Sequence, residues 1–492
     1  MVKVKEVRKE DKKDVKAMQF KKNENFSEWY SDIVQKAELA DLKYNIKGFL
    51  VFQPWSVMPM EKMFAHLEKA LQRKGHKPYF YPTLIPEGNF KKESSHIKGF
   101  TPEVFWVTEA GNDKLSERYA LRPTSETAFY QMWSYWIRSY KELPFKTYQR
   151  ANVFRYETKA TRPFLRSREF HWIEAHCAHA SEEDAMKQVH EDMETTQEVL
   201  HDVFALPFMF FERPAWDKFA GAERTFAADV LNPDGKVVQQ PSTHLLKQDF
   251  AKAFDVKFKD KDGKDKYVWI TCYGPAVSRI FASVVIVHGD DKGLRFPWDI
   301  APVQIVIAPI SNDEKLVKKG KELKKELESE GYSVDIDLSE KSPGEKFNYW
   351  EMKGVPVRLD LGLKELADKK VTIFRRDTNK KETIEEKDLT KTVKKIASEF
   401  TGNLIKEADK LFDNRIKDAK NEEELKKVIE SGNIARCNFC SVEMAGAKCA
   451  EIVEKEIGAS VRGTNLVRET AVGKCVICGE RAKEVVYIAK QY

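Results

Sequence analysis

The chain has 492 residues, enough to bury several cores, so a multidomain protein is expected. Its 42% apolar and 33% charged content is that of a soluble globular protein, and its longest apolar run, Ile280 to Val287, falls far short of the roughly 20 residues of a membrane span. The net charge of +6 is modest for this length and argues only weakly for a nucleic-acid partner.

The first residues, MVKVKEVRKEDKKDVK, are lysine-rich, carry four acids and lack an apolar core. They do not read as a secretory signal, and a cytoplasmic protein with no membrane span is expected. Phe26, Trp29, Ile33 and Leu39 hold helical spacing, and a strand-like run follows from Gly48. Pro59 is expected to open a helix in which Met60, Met63, Phe64, Leu67 and Leu71 recur at three and four residues, with Gly75 at its end. Tyr79 to Ile85 reads as a strand that stops at Pro86. Another helical pattern, Phe129, Trp133, Trp136 and Ile137, follows Thr124-Ser125-Glu126, where a hydroxyl fits a helix N-cap and the acid a first turn.

Thr147 to Ala180 reads as a strand, a basic loop and a returning strand. Alternation puts Arg155 and Glu157 on one face with Phe154 and Tyr156 on the other; on the return, Phe170, Trp172, Glu174 and His176 share a face. If the hairpin closes in register, an arginine, carboxylates, an imidazole and two rings line one floor. The loop carries Lys159, Arg162, Arg166 and Arg168 and no acid, which suits a polyphosphate, although a solvated hairpin tip accounts for the loop alone.

Ser181 starts a helix with Val189, Met193, Leu200 and Phe204 on its buried stripe. Asp234-Gly235 and Asp262-Gly263 read as hairpin turns, and the strand between them runs through Gln239, Ser242 and His244. Arg279 precedes the apolar Ile280 to Val287, where a snorkelling surface residue is the commoner reading. After a Pro297 to Pro302 hinge, Val303 to Ile307, a lysine-rich helix capped at Asn312, and Ser333 to Asp337 form a strand-helix-strand unit and imply a parallel sheet. From Thr401 the chain is helical and charged, with Leu404, Ala408, Leu411 and Ile416 spaced as one face. Cys177 and Cys272 lie apart as small hydrophobes, whereas Cys437-x-x-Cys440 and Cys475-x-x-Cys478 have the spacing of tetrahedral zinc ligands, with Cys449 spare; free or bridged cysteines are the alternative.

Phe154-Arg155-Tyr156-Glu157, followed by Arg166-Ser167-Arg168-Glu169-Phe170, resembles motif 2 of class II aminoacyl-tRNA synthetases, and the full run is similar to the prolyl-tRNA synthetase family. The long helix and strand before Pro86 resemble motif 1, which forms the homodimer seam, and Gly274 to Val287 resembles motif 3. Thr124 and Glu126 match the family's TxE proline signature, and Trp216 to Ala222 its WDKFAGA segment. Only about a hundred residues separate motifs 2 and 3, so the resemblance is to the archaeal and eukaryotic type without an inserted editing domain.

The resemblance implies an α/β (α+β) chain: a class II antiparallel sheet with flanking helices over 1–300, a three-layer α/β anticodon-binding domain over 301–400 and a small zinc-binding α/β domain over 401–492. It implies ATP-dependent activation of L-proline and transfer to tRNA(Pro), with Mg²⁺ and Zn²⁺ as metals and a homodimer as the assembly. Arg155 and Arg279 would be catalytic. Thr124, Glu126, Arg155, Phe170, Trp172, Glu174, His244 and Ser278 would bind proline; Arg155, Glu157, Arg166, Ser167, Gln239, Ser242 and Arg279 would bind ATP. Glu351, Arg358 and Lys364 would read the anticodon, and Cys437, Cys440, Cys475 and Cys478 would hold zinc. The last residue, Tyr492, would reach back toward the catalytic domain. Three departures stand out: Leu245-Leu246-Lys247 where the family has Asn-Leu-Gly, the unusual Gln240-Pro241, and Leu363 in place of a proline. A catalytically inactive, synthetase-like RNA-binding protein is the alternative, favoured by the Leu245 to Lys247 run and disfavoured by Arg155, Glu157 and Arg279 together.

Overall fold

A computed structural model describes residues 17–90, 104–157 and 160–492; the lysine-rich start and Lys159 lie outside the described residues. The chain divides into two compact units: one of residues 40–288, 297–300 and 396–492, the other of the described residues up to Leu39 with 289–296 and 301–395.

The larger unit is built on a sheet of eleven strands. Six neighbours run antiparallel throughout, in the order Met209–Glu212, Arg224–Leu231, Lys236–Lys247, Trp269–Tyr273, Glu169–His179 and Phe145–Phe154. Asp234-Gly235 makes the expected tight turn, with Gly235 at φ 79°. Past Met209–Glu212 the sheet continues through Ser460–Asn465, Glu484–Gln491, Ile434–Phe439 and Ile416–Ala419, so the C-terminal segment shares a sheet with the centre of the unit.

The helix Val277–His288 is apolar on nearly every side because it is buried on nearly every side. Ser181 caps Glu182–Thr196 by accepting the Asp184 N–H, and this helix packs on the strands Lys236–Lys247 and Trp269–Tyr273. The helix expected from Pro59 begins earlier, at Pro54, where a missing N–H is harmless, and runs to Arg73. The strand expected over Tyr79 to Ile85 is instead two short pieces, Lys77–Pro78 and Leu84–Pro86; Pro82 between them cannot donate to a ladder.

In the smaller unit, Val334–Ile336, Ile305–Pro309 and Val357–Leu361 are parallel, and Lys370–Arg375 and Lys380–Glu385 add antiparallel. The crossover helix Glu314–Ser329 buries Leu316, Leu323 and Leu327 as expected, but its cap is Asp313 rather than Asn312. In the larger unit, of the residues expected to share one helix face, Leu404 and Ala408 are buried, Leu411 is exposed and Ile416 lies beyond the helix on the strand Ile416–Ala419. Among the described residues no helix is long and apolar enough to cross a membrane.

Candidate active site

The hairpin closes in the register that alternation requires: Gln149 lies opposite Glu174, Ala151 opposite Trp172 and Val153 opposite Phe170. The ladder ends at Phe154, but the Arg155 N–H still donates to the Arg168 carbonyl at 2.9 Å. The Arg155 guanidinium therefore stays over the floor, 5.3 Å from the Phe170 ring and 5.7 Å from that of Trp172. These groups line a cavity of about 250 Å³ together with Thr124, Glu126, Glu174 and His244.

One end of the cavity is acidic. Arg122 fixes the approach to it, donating to the carbonyls of Tyr81 and Asn152, each at 2.8 Å. Ser125 occupies the N-cap position of the helix Glu126–Trp136 without a side-chain capping bond; its N–H donates to Glu174 at 2.9 Å. The Thr124 hydroxyl bridges two buried carboxylates, in a short contact with Glu126 and at 3.0 Å from Glu174. One hydroxyl has one proton, so the second bond requires a proton from a carboxyl. Burial, and then the charge of Glu174, raise the Glu126 pKa, which makes Glu126 that proton's holder. Burial alone would raise Glu174 too, but His176 at 3.1 Å and the Ser125 N–H hold it well below the usual carboxylate range. The end of the cavity thus keeps one buried negative charge and one neutral acid.

His244 closes a side wall. Its Nδ1 lies 3.0 Å from the Thr225 hydroxyl, its Nε2 3.0 Å from that of Ser242, and its ring 4.9 Å from that of Phe219. Burial lowers its pKa to about 3, so it is neutral.

The other end is cationic. Arg279 donates to the carbonyls of Leu165 and Gln239, both at 3.3 Å. Burial, and then the charges of Arg155 and Arg166, lower its pKa to about 10, which leaves it charged at neutral pH. An adjoining recess is lined by Arg155, Glu157, Arg166, Ser167, Ser278 and Arg279. Ser278, expected among the proline contacts, lines this recess, with its hydroxyl buried and, among the described residues, without a hydrogen-bond partner. The basic loop does not act as one: Arg168 turns to the Glu157 carbonyl and stacks 4.3 Å from the Tyr156 ring. Arg162 donates to the Tyr492 hydroxyl at 3.0 Å, and Arg166 to the Tyr492 backbone oxygen at 2.8 Å, so Tyr492 does reach back to the catalytic sheet.

The cavity is also lined by residues given no role from the sequence, among them Arg213, His176 and Phe219. His176 shares the floor by alternation and Phe219 lies in the WDKFAGA run, but nothing in the pattern around Arg213 marks it.

The expected zinc set needs a correction. The sulfurs brought within 4.8 Å of one another are those of Cys440, Cys449, Cys475 and Cys478. Cys437 alternates with Ala435 and Phe439 on the core face of its strand and is buried among apolar residues, whereas Cys440 lies just past the strand's end and meets Cys449 at 3.6 Å. In the smaller unit, Arg358 is buried between the rings of Phe347 and Phe374 and donates to Asp360 at 2.7 Å and Glu351 at 3.2 Å. Lys364 is exposed on the short helix Leu363–Ala367.

Residues 105–288 match a family model of the tRNA synthetase class II core domain (G, H, P, S and T), and residues 304–396 match an anticodon binding domain. With the antiparallel sheet and its arginine-flanked cavity, this is the architecture of a class II aminoacyl-tRNA synthetase. Residues 422–492 match the C-terminal domain of prolyl-tRNA synthetase. The chain is 48% identical to the proline–tRNA ligase of Thermofilum pendens over 96% of its own length and 98% of that protein. It superposes on the Giardia lamblia prolyl-tRNA synthetase in complex with prolyl-adenylate with a TM-score of 0.93 at 35% identity, covering 97% of this chain and 100% of that one. For the Cryptosporidium parvum enzyme complexed with halofuginone and AMPPNP the TM-score is 0.90 at 28% identity, with 97% of each chain covered. The chain belongs to the prolyl-tRNA synthetase family.

Proposed function

We propose that the chain condenses L-proline with ATP to give prolyl-adenylate and pyrophosphate, and then transfers the prolyl group to the 3′ end of tRNA(Pro). The observation that carries this reading is a cavity with a buried carboxylate pair at one end, beside a recess in which guanidiniums converge, with Arg155 lining both. The secondary ammonium of proline pairs with Glu174, Glu126 and Thr124, and the pyrrolidine ring packs between Phe170, Trp172, Phe219 and His244. A proline carboxylate oxygen attacks the α-phosphorus, and the bond from that phosphorus to the pyrophosphate oxygen breaks. Arg155 holds the two anions together in line; Arg166 and Arg279 take the charge that develops on the leaving group. Glu157, Ser167, Gln239 and Ser242 position the nucleotide. No enzyme nucleophile is required.

Mg²⁺, when bound, would neutralise the phosphates it arrives with; Glu157, beside Arg166 and Arg279, is the carboxylate of the recess that could take part in holding it. The four clustered thiols suit Zn²⁺, which would close a structural site with no open position for a substrate. Glu351, Arg358 and Lys364 are the anticodon readers in this reading, within residues 301–400, with 1–300 catalytic and 401–492 zinc-binding. Phe80 and Leu84 are exposed; in this reading they would lie in the seam of a homodimer, and the setting is cytoplasmic.

The experiment is exchange of labelled pyrophosphate into ATP with proline, threonine and alanine in turn. Exchange fastest with proline is expected; exchange with none of them would sink the reading and favour an RNA-binding look-alike.

A further inference from the structure

We propose that Arg462, in the C-terminal segment, is a positioning residue for the nucleotide: acting through Asp229 and Arg213, it fixes the side-chain amide of Gln239 at the cavity wall. The inference rests on the proposed function for the identity of the ligand.

Asp229 is fully buried on the strand Arg224–Leu231 and lies directly opposite Gln239 in the register of the neighbouring strand. Two guanidiniums grip it. Arg213 donates from Nη2 to Oδ1 at 2.7 Å and from Nη1 to Oδ2 at 3.1 Å; Arg462 donates from Nε to Oδ2 at 2.8 Å and from Nη2 to Oδ1 at 3.3 Å. The side chains of the two arginines are 1% and 3% exposed. Arg213 also donates to the Arg462 carbonyl at 2.8 Å, and Arg462 to Ser460 at 3.2 Å and Gln491 at 2.5 Å, so the network ties three C-terminal residues to the catalytic strands.

The two cations face two carboxylates, the buried Asp229 and Asp217, whose oxygen lies 4.0 Å from Arg213 Nε, and Arg213 extends from this cluster to the cavity it lines. Its remaining Nη2 proton goes to Gln239 Oε1 at 3.3 Å, while the Gln239 backbone carbonyl accepts from Arg279. A guanidinium can only donate, so Gln239 must present its oxygen to Arg213 and turn its NH₂ outward as a donor. A donor of fixed direction at the phosphate end of the cavity suits a ribose hydroxyl or a phosphate oxygen. Without Arg462, Asp229 draws on Arg213 alone, and the guanidinium is freed to shift away from Gln239.

The test is steady-state pyrophosphate exchange on full-length Arg462→Met and Arg462→Lys, with direct calorimetric titration of ATP. Arg462→Met is expected to raise KM and Kd for ATP about tenfold, with kcat and KM for proline changed less than twofold. Arg462→Lys, which keeps the charge, should recover part of the loss. In a Gln239→Ala background, either Arg462 substitution should add less than twofold. An unchanged affinity for ATP, an equal loss in every parameter, or full additivity with Gln239→Ala would overturn the inference. Should Arg462→Met fail to fold, the Arg462→Lys and Gln239→Ala cycle reads the same coupling. Wild-type protein that exchanges no pyrophosphate would defeat the proposed function, whereas the ATP titrations would still decide the role of Arg462.

Discussion

Replacing Arg155 by alanine separates the chemistry of the site from its stability. Among the described residues, the guanidinium makes one hydrogen bond, from Nε to the Pro123 carbonyl at 3.1 Å, and otherwise faces two rings and the open cavity. Its loss removes one charged-donor hydrogen bond worth about 1.5–3 kcal/mol at most, less because water can reach the freed carbonyl. The acids opposite lose a counter-charge, but only Glu174 is charged, since Glu126, its pKa raised by burial, already holds a proton, and His176 and the Ser125 N–H still stabilise the Glu174 carboxylate. The fold should therefore survive with a loss of about 1–2 kcal/mol. Catalysis loses more. A preorganised donor aimed at developing charge is worth about 3–4 kcal/mol, several hundredfold in rate, and Arg155 serves both the attacking carboxylate and the α-phosphate. Proline-dependent pyrophosphate exchange in Arg155→Ala should fall by at least that factor while its circular dichroism and melting transition remain cooperative. Arg155→Lys should recover little, since an ammonium cannot fork between two anions. Exchange within tenfold of wild type in a folded variant would refute the assignment of Arg155.

The cysteine arrangement predicts that Cys449→Ser abolishes stoichiometric zinc by atomic absorption, whereas Cys437→Ser retains it; the reverse pattern would restore the spacing-based set. Asp192 accepts from Thr243 at 2.7 Å and Gln188 at 2.8 Å, and burial raises its pKa to about 7. A raised acid contributes stability below its unfolded pKa and loses it as pH climbs through the folded one. Asp192→Asn should thus gain on wild type between pH 5 and 8 in urea titrations, by no more than about 4 kcal/mol, and a pH-independent gap would contradict this. Alanine should be activated measurably, though less well than proline, because an apolar pocket rejects a smaller analogue by only about 1–3 kcal/mol; undetectable alanine-dependent exchange would count against such a pocket. Lys247 adopts φ 52°, so Lys247→Gly should stay within about 1 kcal/mol of wild type in chemical denaturation while Lys247→Val loses more than 1 kcal/mol.

The parts of the site that follow from local periodicity were legible in the chain. Alternation placed Phe170, Trp172, Glu174 and His176 on one floor, and Asp234-Gly235 placed the hairpin that carries Gln239 to His244. What spacing cannot say is which way a residue beyond a strand's end turns. Cys437 and Cys440 are three apart, yet one falls on the core face of a strand and the other past its end, so a four-ligand count taken from paired motifs exchanges Cys437 for Cys449. Arg168 is lost to the site for the same reason: it follows the loop and folds back on Glu157 and Tyr156. Arg213 is illegible for a different reason, since its partners Asp229, Gln239 and Arg462 lie 16, 26 and 249 positions away and only the closed sheet brings them together.

The departure at Leu245 to Lys247, which motivated the inactive alternative, can be weighed from where those side chains go. Leu245 is buried with Val189, Met193 and Phe226 beneath the helix Glu182–Thr196; Leu246 is buried with Tyr130 and Phe250 on the opposite side of the strand. Neither lines the cavity. Lys247 stands where the family has glycine, at a shift in register against Trp269–Tyr273 that demands a left-handed backbone, and its ammonium meets Glu223 at 3.0 Å on a half-exposed edge. The strain is local and modest, of order 1 kcal/mol, and lies beyond the point where Ser242 and His244 have already been delivered to the cavity. A substitution disabling catalysis would have to displace those two residues or the guanidinium of Arg155, and all three hold their partners. The altered run therefore bears on folding stability and gives no ground for an inactive site.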